Sequence, residues 1–159
     1  MNIQLICIGK LGETYLVSAL AEYEKRLKRF CRFSVCELKE ERLPDNASVA
    51  QEAAVREAEG KAILEKISKD AVVIALEIEG RVLSSEELAA HMKNLALSGK
   101  SRVDFIIGGS LGLSPAVLRR ADLRLSFSRM TFPHQLMRII LVEQIYRSFK
   151  INNNEPYHK

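Results

Sequence analysis

Apolar and polar residues alternate in "NIQLICIG" and "RFSVCEL", and apolar residues run almost unbroken through "AVVIALEI" and "VDFIIGG". Alternation at period two marks a strand with one buried face, and a short continuous apolar run marks a strand buried on both. Strands are therefore expected at 3–8, 32–38, 71–78 and 103–108, with a shorter fifth, "LRLSF", at 123–127. Helical patterns lie between them. "ETYLVSALAEYEKRLKRF" follows the first strand, and "VAQEAAVREAEGKAILEKI" follows the second after the polar loop "KEERLPDNAS". Ser48 with Gln51, and Ser84 with Glu87, fit the reciprocal cap in which hydroxyl and side chain satisfy each other's orphan backbone donors. Ser114-Pro115 opens a further helix, since proline in the first turn gives up no hydrogen bond. The last helix is expected to begin at Pro133 and end in "NNN" at 152–154. Strands alternating with helices throughout predict an α/β fold, a mostly parallel sheet flanked by helices on both faces. At 159 residues the chain reads as one domain, 1–159.

Ligands of such sheets bind beyond the carboxyl ends of the strands. Three joints then matter: Leu76 to Gly80, Gly108 to Ser114, and Phe127 to Pro133. "GGSLGLSP" runs from strand to helix but is neither G-x-G-x-x-G nor a Walker A loop, so dinucleotide and NTP binding lose their main support. It reads either as a ligand loop or as a tight turn, and "GKLGE" as a turn. In "SFSRMTFP", Thr131 is either a helix cap or part of a ligand loop, and Ser128 either a turn residue or part of the same loop. The helix after it is apolar at 136, 139, 140, 142, 145, 146 and 149, a stripe wide enough to face both its own core and a second subunit. Glu143 and Arg147 form a favourable i,i+4 pair.

Charge sharpens this picture. Residues 1–118 hold 16 Lys+Arg against 17 Asp+Glu, while 119–159 hold 8 against 3, so the excess of +4 resides at the C-terminal end. That asymmetry fits either a polyanionic partner or a solvated helix face. No run approaches a membrane span, and "MNIQLICIGK" lacks the features of a signal peptide, so a cytoplasmic location is expected. Cys7, Cys31 and Cys36 lie in apolar segments without C-x-x-C spacing and read as reduced core residues. His91 reads as a surface residue and His134 as a packed helix-start residue; with His158 they have no metal spacing, and no metal is expected. By composition "EPYHK" is a frayed end, although an aromatic, an imidazole and a lysine also suit nucleic-acid contact.

In order and spacing, "LEIEG" with "LSSEELA", "FIIGGSLGL", "LSFSRMTFPHQLMRIILVEQIYR" and the terminal "PYHK" resemble the small knotted methyltransferases of the SPOUT class that methylate N3 of a pseudouridine in large-subunit ribosomal RNA. The resemblance spans essentially the whole chain, from "ICIGK" to Lys159. It implies a homodimer with a C-terminal deep trefoil knot, whose loops bind S-adenosylmethionine in a bent shape. Carried over, the cofactor positions are Leu76, Gly108, Phe127, Ser128, Arg129, Met130, Thr131 and Phe132, at the same three joints chosen from sheet logic.

The implied reaction removes the imide proton from N3, which then attacks a sulfonium methyl. It needs orientation, a proton acceptor and cationic stabilisation of the imide anion. Arg147 is expected to stabilise that anion, and Tyr157 and His158 to hold the base and relay its proton, with the tail of one subunit closing over the cofactor of the other. Arg124, Arg129, Arg138 and Lys150 are candidate phosphate contacts, with "EKRLKRFCR" at 24–32 a second patch. A single domain without an appended RNA-binding module suggests that the assembled ribosome is the substrate. The competing readings are a non-catalytic ribosome-associated protein, a knotted methyltransferase acting on tRNA, and a flavodoxin-like or Rossmann nucleotide-binding domain.

Overall fold

The computed structural model describes residues 1–158. Five strands, β1 (Asn2–Ile8), β2 (Arg32–Leu38), β3 (Val72–Val82), β4 (Arg102–Ile107) and β5 (Leu123–Ser126), form one sheet in the order β2-β1-β4-β3-β5. Every pairing in it is parallel. Five helices alternate with the strands: α1 (Thr14–Leu27), α2 (Val49–Lys66), α3 (Ser85–Leu97), α4 (Pro115–Arg120) and α5 (His134–Asn152). Both capping boxes form, with Gln51 N–H donating to Ser48 Oγ at 3.2 Å and Glu87 N–H donating to Ser84 Oγ at 3.1 Å.

Side-chain alternation along the strands builds two cores. Leu5 and Cys7 of β1, Ile74 of β3 and Phe105 of β4 pack with Leu20 of α1, Leu88 and Met92 of α3, and Leu141 and Ile145 of α5. On the opposite face Ile6 and Ile8, Val73 and Ala75, and Ile106 pack with Ile63 of α2 and Val117 of α4. Helices thus cover both faces, which is why the central strands read as continuous apolar runs. Cys7 and Cys31 are buried and free, and desolvation pushes both thiols up to about 11. No described helix is long and apolar enough to cross a membrane.

The sheet is irregular at its β3–β5 edge. β3 extends to Val82, beyond the expected end at 78, because it leaves β5 and rejoins it: Leu76 and Arg81 both align with Leu125, so residues 77–80 bulge out between them. Gly80 makes the return feasible, since a Cβ there would lie 2.8 Å from the backbone of Arg124. β4, β3 and β5 are also neighbours, so the three joints singled out in the sequence open side by side along one edge of the sheet.

α5 starts at His134, with Pro133 at the cap and no side-chain cap bond, which removes Thr131 as the cap. Arg138, expected on the surface, is wholly buried. Its Nη2 donates to Ile8 O at 2.6 Å and Gly9 O at 3.0 Å, and its Nη1 to Glu37 Oε1 at 3.1 Å. A guanidinium tolerates such burial because its fork of donors finds carbonyls left open at the end of β1. Arg138 is therefore a tie between α5 and the central strand, and its candidacy as a phosphate contact is withdrawn.

Candidate active site

A cleft of about 550 Å³ of free space, open to solvent, lies beyond the carboxyl ends of β3, β4 and β5. Leu76 and Gly108 line it from β3 and from the turn after β4. Phe127, Ser128, Met130, Thr131 and Phe132 line it from the segment joining β5 to α5. Arg129 does not line it, so of the eight expected cofactor residues it alone stands outside the wall. Gly108 has a tight structural reason: a Cβ there would meet the backbone of Gly112 at 2.9 Å, so the glycine loop folds back against the strand end.

The loop shapes itself with its own serines. Ser126 Oγ donates to Ser128 O at 3.1 Å, and Met130 N–H donates to Ser128 Oγ at 2.9 Å. Ser128 is thus a turn residue and a cleft residue at once. Glu77 and Ile78, inside the joint Leu76 to Gly80 though not among the expected cofactor positions, also line the cleft, as do Ile107, Leu125, Ser126 and Met137, which sequence reasoning missed. Leu125, Ile107 and Glu77 lie at or near the ends of predicted strands, and the sheet rule that chose the joints extends naturally to them. His134 lines the cleft as well, from the first turn of α5.

The expected catalytic residues gather elsewhere. The tail is folded onto α5, with Glu155 N–H donating to Lys150 O at 2.9 Å and the Glu155 carboxylate paired with Lys150 and Arg29. A frayed end is therefore overturned, and so is Lys150 as a free phosphate contact, because its side chain is only 12% exposed and tied to the tail. Arg29, from the 24–32 patch, helps to hold the tail, while Arg124 remains exposed. Lys159 lies outside the described residues.

Glu143 is the hub. Its Oε1 accepts from Arg147 Nε at 3.0 Å, from Arg147 Nη2 at 2.6 Å and from Tyr157 Oη at 3.0 Å. The Arg147 guanidinium lies 4.7 Å over the Tyr157 ring, and that ring meets Tyr146 edge-on at 5.0 Å. His158 bridges outward, with Nδ1 3.2 Å from Arg147 Nη1 and Nε2 2.6 Å from Glu86 Oε1. Since arginine can only donate, Nδ1 is the acceptor and Nε2 carries the proton toward Glu86.

Electrostatics separate the roles. The hydrogen bond to Glu143 raises the Arg147 pKa further, so it is a permanent cation. Desolvation, reinforced by hydrogen bonds to Tyr23 and Glu143, pushes the Tyr157 phenol far above its ordinary value, so it is a donor and not a base. His158 links the two sides of this set, accepting from Arg147 at Nδ1 and donating to Glu86 from Nε2. His91, expected at the surface, is instead half-buried, with Nε2 shielded and unpaired among the described residues. Burial, with the charge of Arg81, lowers its pKa.

The cleft and the tail cluster occupy opposite ends of α5. From Met137 to Arg147 is ten residues, or about 15 Å along the axis at 1.5 Å per residue. One chain does not bring the two sets together.

A parallel α/β sheet with a cleft over the ends of three adjacent strands is an architecture many enzymes share, and it is the family match and the relatives that place this chain: it belongs to the SPOUT methyltransferase family. The family described as "Predicted SPOUT methyltransferase" matches residues 1–158. That family is known for a knotted fold. The chain is 55% identical to the ribosomal RNA large subunit methyltransferase H of Clostridium novyi (strain NT), with 100% of each chain covered. It is 56% identical, again over 100% of each chain, to the proteins of that name from Clostridioides difficile (strain 630) and Bifidobacterium adolescentis.

Proposed function

We propose that this protein transfers a methyl group from S-adenosylmethionine to N3 of a pseudouridine in large-subunit ribosomal RNA, working as a homodimer on the assembled ribosome in the cytoplasm. The observation that carries the dimer is the separation of the two residue sets along α5. In a two-fold dimer with antiparallel α5 helices, the tail of one protomer lies beside the cleft of the other. An apolar patch fits that arrangement. Tyr15, Val17 and Leu136 are exposed near the end where Gly12 N–H donates to Gln135 Oε1 at 3.3 Å, beside the cleft.

The cleft suits the donor. Its wall is mostly apolar, for the adenine and the carbon arms on the sulfonium, and the absence of a side chain at Gly108 leaves backbone open to the donor's polar atoms. When bound, the donor supplies an electrophilic methyl on a sulfonium. Leu76, Gly108, Phe127, Ser128, Met130, Thr131 and Phe132 would hold the donor. The partner's tail then orients the base, with Tyr157 providing a ring to stack and an O–H to donate. Arg147 stabilises the negative charge that develops as the imide proton leaves, and His158, once Arg147 turns from its Nδ1 to the base, accepts that proton at the freed Nδ1 while Glu86 faces Nε2.

Arg124 and Arg129, together with the exposed cations of the 24–32 segment, are the candidates for phosphate contact. The deciding experiment supplies labelled S-adenosylmethionine with either whole ribosomes or free rRNA and identifies the nucleoside that gains the label. N3-methylpseudouridine from ribosomes is expected, and label in tRNA or in no RNA sinks the reading.

A further inference from the structure

The donor cleft contains a group that neither the loop chemistry nor the tail accounts for. Glu77 stands in the 77–80 bulge and lines the cleft. It also lines a second opening, shared with Arg56 and Leu111. Its side chain is 23% exposed, yet its Oε2 is shielded from solvent and has no hydrogen-bond partner among the described residues. The cation paired with it, Arg124 Nη1, is 3.9 Å away, close enough to attract but beyond hydrogen-bond reach, and the Arg124 side chain is half in solvent at 49%. A shielded carboxylate oxygen without a donor is costly, and such groups persist where a ligand completes them.

Two of the cleft's polar side chains are engaged within the loop: Ser126 Oγ donates to Ser128 O, and Ser128 Oγ accepts from Met130 N–H. Of the described side chains lining the cleft, Glu77 is the only acidic one, and the rest are mostly apolar.

Given the methyl-donor reading of the cleft, on which this rests, we propose that Glu77 is a specificity-determining residue whose carboxylate selects the cationic sulfonium donor over the neutral thioether left after transfer. The reaction supplies the difference in charge. The N3 lone pair forms the new N–C bond, the C–S bonding pair returns to sulfur, and the sulfonium charge disappears as the imide anion is neutralised. Donor and product keep the same nucleoside, amino and carboxylate groups, so a wall that reads only those features binds both alike. A carboxylate that acts on the sulfur's charge favours the donor and loosens its grip once the methyl has gone. Turnover then does not stall on the spent cofactor, a step that limits many enzymes.

The test is binding calorimetry without RNA, using wild type and Glu77→Gln, which preserves shape and removes charge. Three probes are titrated: S-adenosylmethionine, S-adenosylhomocysteine, and the donor analogue in which a protonated amine replaces the sulfonium. The variant should bind the two cationic probes about tenfold more weakly and the thioether about as well as wild type. In turnover the same variant should be inhibited by thioether at a lower ratio of product to donor. Equal weakening of all three probes places Glu77 on the shared nucleoside or amino group and overturns the proposal, as does no change in any. If wild type binds none of the probes, the donor reading of the cleft falls and the proposal falls with it. A circular dichroism spectrum and thermal midpoint matching wild type identify the change in ratio as a binding effect.

Discussion

The two ends of α5 each carry an arginine in a polar network, and the two arginines are held in opposite ways. At the cleft end Arg138 is fully buried and spends its donors on Ile8 O, Gly9 O and Glu37. At the tail end the Arg147 side chain is 25% exposed, and its partners Glu143, Tyr157 and His158 are themselves partly in solvent. Backbone carbonyls at the end of a central strand cannot move without disturbing the sheet, so Arg138 fixes the helix that closes the cleft. Side-chain partners on a surface can be exchanged, so Arg147 and the tail are able to turn toward a base or a second subunit. On the proposed function, the rigid end of α5 would back the donor wall, while the tail groups would exchange partners on meeting the base.

Replacing Arg138 with Met is the sharpest way to break this contrast. It strands two carbonyls and Glu37, and should cost about 3–5 kcal/mol in denaturant unfolding. Arg147→Met should cost only about 1 kcal/mol or less in the same measurement. Comparable losses at the two sites would erase the distinction.

Deleting Tyr157 to Lys159 should lower methyl transfer by about a hundredfold or more, while donor binding and the dimer survive. Mixing this deletion with a cleft-defective variant should restore about a quarter of wild-type activity, because half the dimers then have one complete composite site of two. Undiminished turnover by the deletion sinks the tail assignment, and failure to complement sinks the shared site. A smaller effect is expected of Gly108→Ala. Its Cβ must push the Gly112 backbone from 2.9 Å, and donor affinity by calorimetry should fall about tenfold.

Smallest is the contact between Glu86 and the tail. Hydrogen bonds from its own helix-start backbone, then from His158 and Ser84, hold the Glu86 carboxyl down at about 2, against an ordinary 4.5. A depressed folded-state pKa stabilises above the unfolded value and is lost as pH falls through the folded one. The gap in thermal midpoint between wild type and Glu86→Gln should therefore be present near neutral pH and shrink as pH drops from 4.5 toward 2. A gap that widens on acidification contradicts this assignment.

Much of the cleft was legible in the sequence because its parts are local. Strand ends, a glycine turn and a helix start are each set by a few neighbouring residues, and the tendency of ligands to bind at carboxyl ends of strands supplied the location. Arg138 was misread because a lone arginine on a helix ordinarily points outward. The available signal was its register, for 138, 141, 142, 145 and 148 recur at helical spacing and all five are buried. The tail was misjudged by composition because Glu155, Tyr157 and His158 find partners just beyond α1, on α5 and on α3, most of them remote in the sequence. Glu77 fell within a joint chosen from the sequence but was not named as a cleft residue, because nothing in "LEIEG" announces that a strand will leave its neighbour and return.

The sequence by itself determined the elements, their caps, the parallel α/β class and the family signature, since periodicity and capping depend on residues a few positions apart. Only the tertiary structure decided which strands are neighbours, which arginine is buried, and that the cleft and the tail cluster lie at opposite ends of one helix. Those depend on carbonyls, carboxylates and rings brought together from distant parts of the chain, and pairings of that kind leave no period to read.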